Sequence, residues 1–369
     1  MPVTGTVVTD TDAGGSGVLY FFDPDGTPQV APASNPETGI SGTGFISLPD
    51  GRLCVIGGGA PDFPISGCGI YATDFLSLIE CPFVAGVGSA SRSAARDDNG
   101  FWYGGGFKTG VGGGGQIFKY DDTGALIDYW EVTAGVDNAF PIAVNGAGTI
   151  AYYTLNTDHL NIRAWDLVGD ASLGIFATNA GYRCDDRTSM MCIGDDVFVG
   201  WDGIAGATPG YIRRYTAAGA FVQDYPTVGA NSAPISITPG VNSDSFWLSY
   251  VSSECPTYSG ITITEFDVAT GAILNTFNPE DGTVNFYGVI AVLGVEPPLT
   301  WLWTKVSGPG TVVFSDNTAL DSTATFSAPG VYVLRLTATS SCQSLSDDVI
   351  ITILSDCTLP GPDPVFDCG

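Results

Sequence analysis

One histidine, His159, is all that this 369-residue chain offers to imidazole chemistry, so mechanisms built on a histidine acid, base or triad start without their usual residue. Positive charge is scarce too. Twelve Lys and Arg face 39 Asp and Glu, a formal net charge of -27, and no nucleic-acid partner is expected, because phosphate binding needs basic side chains. Among the acids, glutamate is confined to Glu37, Glu80, Glu131, Glu254, Glu265, Glu280 and Glu296. No two of these stand out as the paired carboxylates of a glycosidase. No apolar run reaches the roughly 18 residues of a spanning helix, so no membrane span is expected. The N-terminus, MPVTGTVVTD, has neither the basic nor the apolar region of an export leader. The nine cysteines, Cys54, Cys68, Cys81, Cys184, Cys192, Cys255, Cys342, Cys357 and Cys368, are odd in number and form no C-x-x-C pair, so neither a zinc ribbon nor a thioredoxin-type motif is supported. Cys357 with Cys368 is a candidate bridge in a Pro-rich tail; most of the others read as buried thiols acting as small hydrophobes.

What the chain does have is apolar and repetitive. With 44% hydrophobic and 11% aromatic residues, it can bury a substantial core. An apolar strand ending in an aromatic, usually followed by Asp, a Gly turn and a second strand, recurs as LYFFDPDG, GIYATD, IFKYDDTG, IRAWDLVG, IRRYTAAG and ITEFDVATG. The marker aromatics Phe22, Tyr71, Tyr120, Trp165, Tyr215 and Phe266 are spaced by 49, 49, 45, 50 and 51 residues. A period near 50 with strand-like content predicts four-stranded propeller blades. Five complete quartets are expected, beginning near Gly42, Ala90, Ala139, Arg187 and Pro234. The segment Gly5 to Gly26 aligns without gaps on Gly148 to Gly169, which makes it a blade lacking its innermost strand. Phe286 to Gly294 is the strand available to fill the gap, removing two exposed edges. The predicted fold is all-β: a six-bladed β-propeller closed by its N- and C-terminal strands, over residues 1–295.

Several groups invite a functional reading beside a structural one. Asp23, Asp121, Asp166 and Asp267 begin the repeat turns, where Asp-x-x-Gly is ordinary hairpin chemistry. Asp10, Asp12 and Gly14 echo the start of a calcium loop but lack its distal Glu. Arg183, Asp185, Asp186 and Arg187 form the densest charge cluster, read as mutual salt bridging rather than a ligand site. The glycine-rich GGGFKTGVGGGG from Gly104 to Gly115 lacks the P-loop ending and reads as a mobile surface loop. Trp102, Trp201 and Trp247 recur at near-equivalent second-strand positions, which argues for packing between blades over sugar stacking. No catalytic residue, metal ligand or cofactor is assigned, and the binding residues stay open.

After Pro297 and Pro298 the pattern changes. Trp303, Val306, Ser307, Gly308, Pro309 and Gly310, then Thr323 to Ser327, Pro329, Gly330, Tyr332 and Leu334 to Thr337, follow W-x-x-V-S-G-P-G and T-A-T-F-S-x-P-G-x-Y-x-L-R-L-T. Over about 55 residues the chain resembles a PKD-type domain. The resemblance implies an immunoglobulin-like β-sandwich over 296–355, used as a spacer or adhesion module without catalytic residues. The strand region that usually precedes the Trp is taken up by the propeller's closing strand, so the sandwich is either abbreviated or shares a strand with a neighbour. Residues 356–369 read as a Pro-rich arm. The architecture resembles surface and tail proteins of bacteriophage virions, which reconciles an extracellular type of composition with the leaderless N-terminus. The expected function is a non-enzymatic structural or adhesion component of a virion (tail, fibre, baseplate or capsid surface), assembled in the host cytoplasm. Its expected partners are other virion proteins or copies of itself through the C-terminal module, with a cell-surface glycan as a further candidate. The alternative is an extracellular carbohydrate-binding or carbohydrate-cleaving propeller of a bacterial cell surface.

Overall fold

The computed structural model describes residues 5–11, 18–34, 42–48, 52–57, 68–71, 78–80, 93–107, 114–133, 137, 139–155, 157–178, 189–201, 209–227, 232–241, 243–251, 261–279, 286–294, 300–339 and 344–355. All regular structure among them is β, in two compact units, Met1–Pro297 and Pro298–Gly369. None of the described residues forms a helix long and apolar enough to cross a membrane.

In the first unit, β1 (Val7–Thr11), β2 (Val18–Phe22) and β3 (Pro28–Ser34) are followed by five quartets of consecutive strands. These are β4 (Gly42–Ser47), β5 (Leu53–Gly57), β6 (Cys68–Tyr71) and β7 (Leu78–Glu80); β8 (Ser93–Arg96), β9 (Trp102–Phe107), β10 (Gly115–Tyr120) and β11 (Leu126–Glu131); β12 (Ala139–Val144), β13 (Ile150–Leu155), β14 (Asp158–Asp166) and β15 (Ala171–Thr178); β16 (Met190–Ile193), β17 (Asp196–Trp201), β18 (Tyr211–Tyr215) and β19 (Phe221–Pro226); and β20 (Ala233–Pro239), β21 (Ser245–Val251), β22 (Ile261–Asp267) and β23 (Ile273–Phe277). Each quartet is an antiparallel sheet in chain order. The last strand, β24 (Phe286–Val292), returns to the N-terminus and makes the sheet β24-β1-β2-β3. Its register is Val7 opposite Val292, Val8 opposite Ala291 and Thr9 opposite Ile290, extended by the Gly5 amide donating to the Leu293 carbonyl at 2.9 Å and the Leu293 amide donating to the Thr6 carbonyl at 2.8 Å. The expected pairing of the two ends is therefore present. Every marker aromatic of the repeat sits at or next to the end of the third strand of its sheet.

The core lies between sheets. First strands touch in the order β24, β4, β8, β12, β16, β20 and back to β24. Apolar clusters fill the spaces: Trp102 packs with Ile46, Leu48 and Cys54 of the preceding sheet; Tyr103 and Trp130 meet Ile142 and Tyr153; Trp201 meets Ala143, Tyr152 and Ile162; Phe198 and Tyr225 meet Phe246 and Phe266; Trp247 meets Val7, Phe22 and Val292. Sheets packed in this way are apolar on both faces, and their inner strands read as continuous apolar runs rather than strict alternation.

The glycine-rich stretch departs from the expected loop. Gly104 to Gly106 lie inside β9 and Gly115 opens β10, paired with Phe107; residues 108–113 lie outside the described residues. Glycine is needed there for close approach: a Cβ on Gly105 would stand 2.4 Å from Ile142 Cγ2 and 2.6 Å from the Ala139 carbonyl, inside any contact distance. A run of glycine that reads as punctuation is thus the place where the next sheet presses against this one.

The second unit has a three-stranded sheet, β25 (Thr300–Ser307), β28 (Gly330–Thr339) and β29 (Ser344–Ile353) in the order β25-β28-β29, and a two-stranded one, β26 (Val312–Phe314) with β27 (Ala324–Phe326). The two halves of the C-terminal motif meet at Tyr332, which is fully buried. Its hydroxyl donates to the Ala328 carbonyl at 2.6 Å and accepts from the Gly310 amide at 3.1 Å. Trp303 stacks on Phe314 and Phe326 packs edge-on to Tyr332. Gly308, at φ +134°, lies so close under the Tyr332 ring that a Cβ would be 2.2 Å from it, which is why the Ser-Gly-Pro-Gly turn admits no larger residue there.

Candidate functional site

In each of the five quartets, antiparallel order puts the turns joining first to second and third to fourth strands at one end of the sheet, and the connections from second to third strand and on to the next quartet at the other. The turn end is tightly built. Asp97, at the turn between β8 and β9, is buried; one of its oxygens accepts from the Asn99 and Phe101 amides at 2.9 and 3.0 Å and the other from the Tyr103 hydroxyl at 2.9 Å. Burial pushes its carboxyl above the ordinary aspartate range despite those donors and nearby Lys119, and burial together with Asp97 pushes the Tyr103 phenol up as well. In the next sheet Asn145 does the same work, its Oδ1 accepting from the Thr149 and Ile150 amides at 2.9 Å. Successive turns are tied together: the Asp98 amide donates to the Gly146 carbonyl and the Gly146 amide to the Gly194 carbonyl, at 2.8 and 3.1 Å. A carboxylate so enclosed is a clamp for a turn and is not free to act as a base. Sequence reading misses Asp97 and Asn145; their common place just after a first strand, in ARD and AVN, is the signal that could find them.

The side chains that the sequence does single out separate into different places. Asp121 Oδ1 accepts from the Thr123 amide, the Thr123 hydroxyl and the Ala125 amide; Asp166 and Asp267 do likewise for the residues two and three ahead. Asp23 accepts from the Gln29 side chain. Asp121, Asp166 and Asp267 thus make Asx-type turns opening the fourth strands, and at the turn after Phe22 Asp25 takes that part by accepting from the Thr27 amide at 2.9 Å. Trp102, Trp201 and Trp247 are buried between sheets. They lie at the start, the end and the middle of β9, β17 and β21, so all three occupy second strands but at different levels. The Glu265 carboxylate accepts from Ser245 and Asn275 at 2.6 Å each, while Glu131 is exposed on β11, in a different sheet. The side chain of Glu80 and residues Glu37, Glu254, Glu280 and Glu296 lie outside the described residues, as do Asp12, Gly14, the side chains of Asp10 and His159, the Arg183 to Arg187 cluster, Cys357 and Cys368. Cys54 is a buried free thiol whose pKa burial raises, and Cys192 is a half-buried one. Among the described residues no group of His, Cys, Asp and Glu is placed to hold a metal ion.

The surface that stands out is the outer rim. Among the described residues the fourth strand of each four-stranded sheet pairs on one side only, and four successive ones display large apolar side chains to solvent: Ile127 and Tyr129 on β11, Leu173 and Ile175 on β15, Phe221 and Val222 on β19, and Ile273 and Leu274 on β23. Arg213, paired to Asp224 through two 2.7 Å hydrogen bonds, lies against the Phe221 ring. Scattered apolar residues are normal on a surface; here they recur on the same strand of four neighbouring sheets. Period-50 repetition carries the pattern from sheet to sheet, whereas sequence reading assigns these residues only to strands.

No protein-family profile matches the chain, and no curated protein matches it. Solved structures resemble it weakly. TolB from Acinetobacter baumannii aligns at 11% identity and a TM-score of 0.49 over 76% of this chain; the chain spans 64% of the length of that protein. The periplasmic gluconolactonase PpgL of Pseudomonas aeruginosa aligns at 11% identity and a TM-score of 0.49 over 95% of this chain and 99% of its own. The WD40 repeats of RRP9 align at 9% and 0.43 over 75% and 72%.

Proposed function

We propose that this chain is a non-enzymatic structural or adhesion component of a bacteriophage virion, in its tail, fibre, baseplate or capsid surface. Its first unit is a six-bladed β-propeller closed by its own ends and its second a PKD-like immunoglobulin-like sandwich. The carrying observation is the rim: open sheet edges bearing Ile127, Tyr129, Leu173, Ile175, Phe221, Val222, Ile273 and Leu274 are suited to burial by neighbouring proteins of an assembly. Pairing of β24 with β1 supports the propeller reading, because it gives the N-terminal three strands the fourth they lack. The phage assignment rests on the PKD-like motif and the acidic, Ser/Thr/Gly-rich composition.

Mass spectrometry of particles purified from a lysate of cells producing the phage tests the reading. Peptides of this chain at a stoichiometry fixed relative to the major capsid protein are expected; their absence from particles overturns the virion assignment. Release of reducing sugar from a polysaccharide, or saturable binding on a glycan array, would move the chain to the carbohydrate-acting alternative.

A further inference from the structure

Among the described residues the larger sheet of the second unit has two edge strands, β25 and β29; β25 makes a further backbone bond, from the Trp303 amide to the Asn317 carbonyl at 2.7 Å, which leaves β29 as the open edge. β29 pairs with β28 along its whole length, from Gly330 opposite Ile353 to Thr339 opposite Ser344, and no described strand pairs its other side. A ten-residue open edge is long for a protein to leave unprotected. Its amides already seek partners: the Asp348 amide donates to the neighbouring Asp347 carboxylate at 2.9 Å, so the Ile350 amide, two residues on, points to the same open side.

The register assigns the faces. Val349 and Ile351 lie opposite Leu334 and Tyr332, on the face that carries the buried core, while Asp348 and Ile350 lie opposite Arg335 and Val333 on the other. The two-stranded sheet reaches Trp303 and Tyr332 through Phe314 and Phe326, but the β29 end of the core face is uncovered: Val349 is 41% exposed, and on the other face Ile350 is 70% exposed. An added strand would cover both while satisfying the free backbone groups.

We propose that the open edge of β29 receives an extended segment of a different protein, with basic residues opposite Asp347 and Asp348 and β-branched or other apolar residues opposite Val349, Ile350 and Ile351. Charge selects this occupant. A second copy of β29 pairing antiparallel along its full length would set Asp347 opposite Ile350 and Asp348 opposite Val349, which offers neither carboxylate a cation and places Asp347 of one copy diagonal to Asp348 of the other, in a chain that already carries -27; like charges at neighbouring cross-strand positions repel. Arg335 is committed to Asp348, with hydrogen bonds of 2.7 and 3.0 Å, which leaves Asp347 to be matched by the partner. The proposal rests on the reading of the chain as a component of a larger assembly, and names the chemistry of one partner.

The test uses the full chain and a fluorescein-labelled, end-blocked ten-residue peptide with two Lys in register with Asp347 and Asp348 and alternating Val and Thr elsewhere, beside its Lys-to-Glu analogue. Saturable anisotropy for the Lys peptide, with slowed hydrogen exchange confined to β29, is expected; the Glu analogue should bind at least tenfold more weakly. Asp347→Lys should reverse that preference, and Ile350→Pro, which removes an edge amide, should abolish binding. Retained exchange protection of β28 confirms that each variant is folded. Equal binding of both peptides, binding unaffected by Ile350→Pro, no binding at millimolar peptide, or sedimentation of the free chain as a dimer dissociated by Ile350→Pro would each overturn the proposal. Particle mass spectrometry is independent of these outcomes, so loss of the virion assignment and loss of the β29 site are read separately.

Discussion

At the scale of single residues, contact distance and burial decide what polar groups and glycines do. Gly105 faces Ile142 and the Ala139 carbonyl so closely that Gly105→Ala must push the β9 sheet away from its neighbour. A loss of about 1–3 kcal/mol is expected, as for other overpacked cores, read as a lowered midpoint in denaturant unfolding; an unchanged midpoint would mean that the sheets separate freely. Asp97 and Asp121 titrate in opposite senses. Burial raises the carboxyl of Asp97, so its contribution is complete below the unfolded value near 4 and is lost as pH rises through the folded value. Asp97→Asn should therefore gain stability relative to the parent between pH 4 and pH 7, by unfolding at each pH, and a difference that is flat or falls would contradict the burial argument. For Asp121, burial also acts to raise the pKa, but the Thr123 hydroxyl and the Ala125 and Thr123 amides outweigh it and leave it lowered. Its contribution is present above the unfolded value and lost as acid brings the pH down through the folded one.

At the scale of elements, the strand that matters most is β24. Val292 is fully buried opposite Val7 and packs in the cluster that joins Trp247 and Phe22. An aspartate there would be a buried charge without a partner, so Val292→Asp should cost about 3 kcal/mol or more. Hydrogen exchange should rise in β1 and β24 together, because each is the other's ladder partner. Protection in β28 and β29 should persist, since they belong to a separate compact unit. Exchange rising in β24 alone would mean that β1 is held by β2 without it. The repeated aromatic and Asp turn are legible as sequence because they recur at fixed spacing and use turn chemistry. The strand content of Gly104 to Gly106 is not, because what requires glycine there is a neighbouring sheet distant in sequence.

At the scale of the whole molecule, charge is the governing quantity. With 39 acidic and 12 basic side chains, self-repulsion opposes the compact state and is screened by salt. Raising NaCl from about 0.01 to about 0.15 M shortens the Debye length from about 30 to about 8 Å, so the thermal midpoint should rise. A midpoint that falls would mean that attractive pairs such as Arg213–Asp224 and Arg214–Asp196 outweigh the repulsion. The same charge bears on the proposed partners: like net charge disfavours association with a second copy and favours a basic partner.

Sequence alone determined the class of structure, the period, the turn residues and the pairing of Phe286 to Gly294 with the N-terminal strands, because each follows from local patterning or from an edge that must be filled. Tertiary structure alone decided which polar groups are enclosed, as with Asp97, and which apolar ones are left outside, as with Ile175, Phe221 and Ile350. Burial depends on what packs against a strand from elsewhere in the chain, and strand patterning carries no record of it.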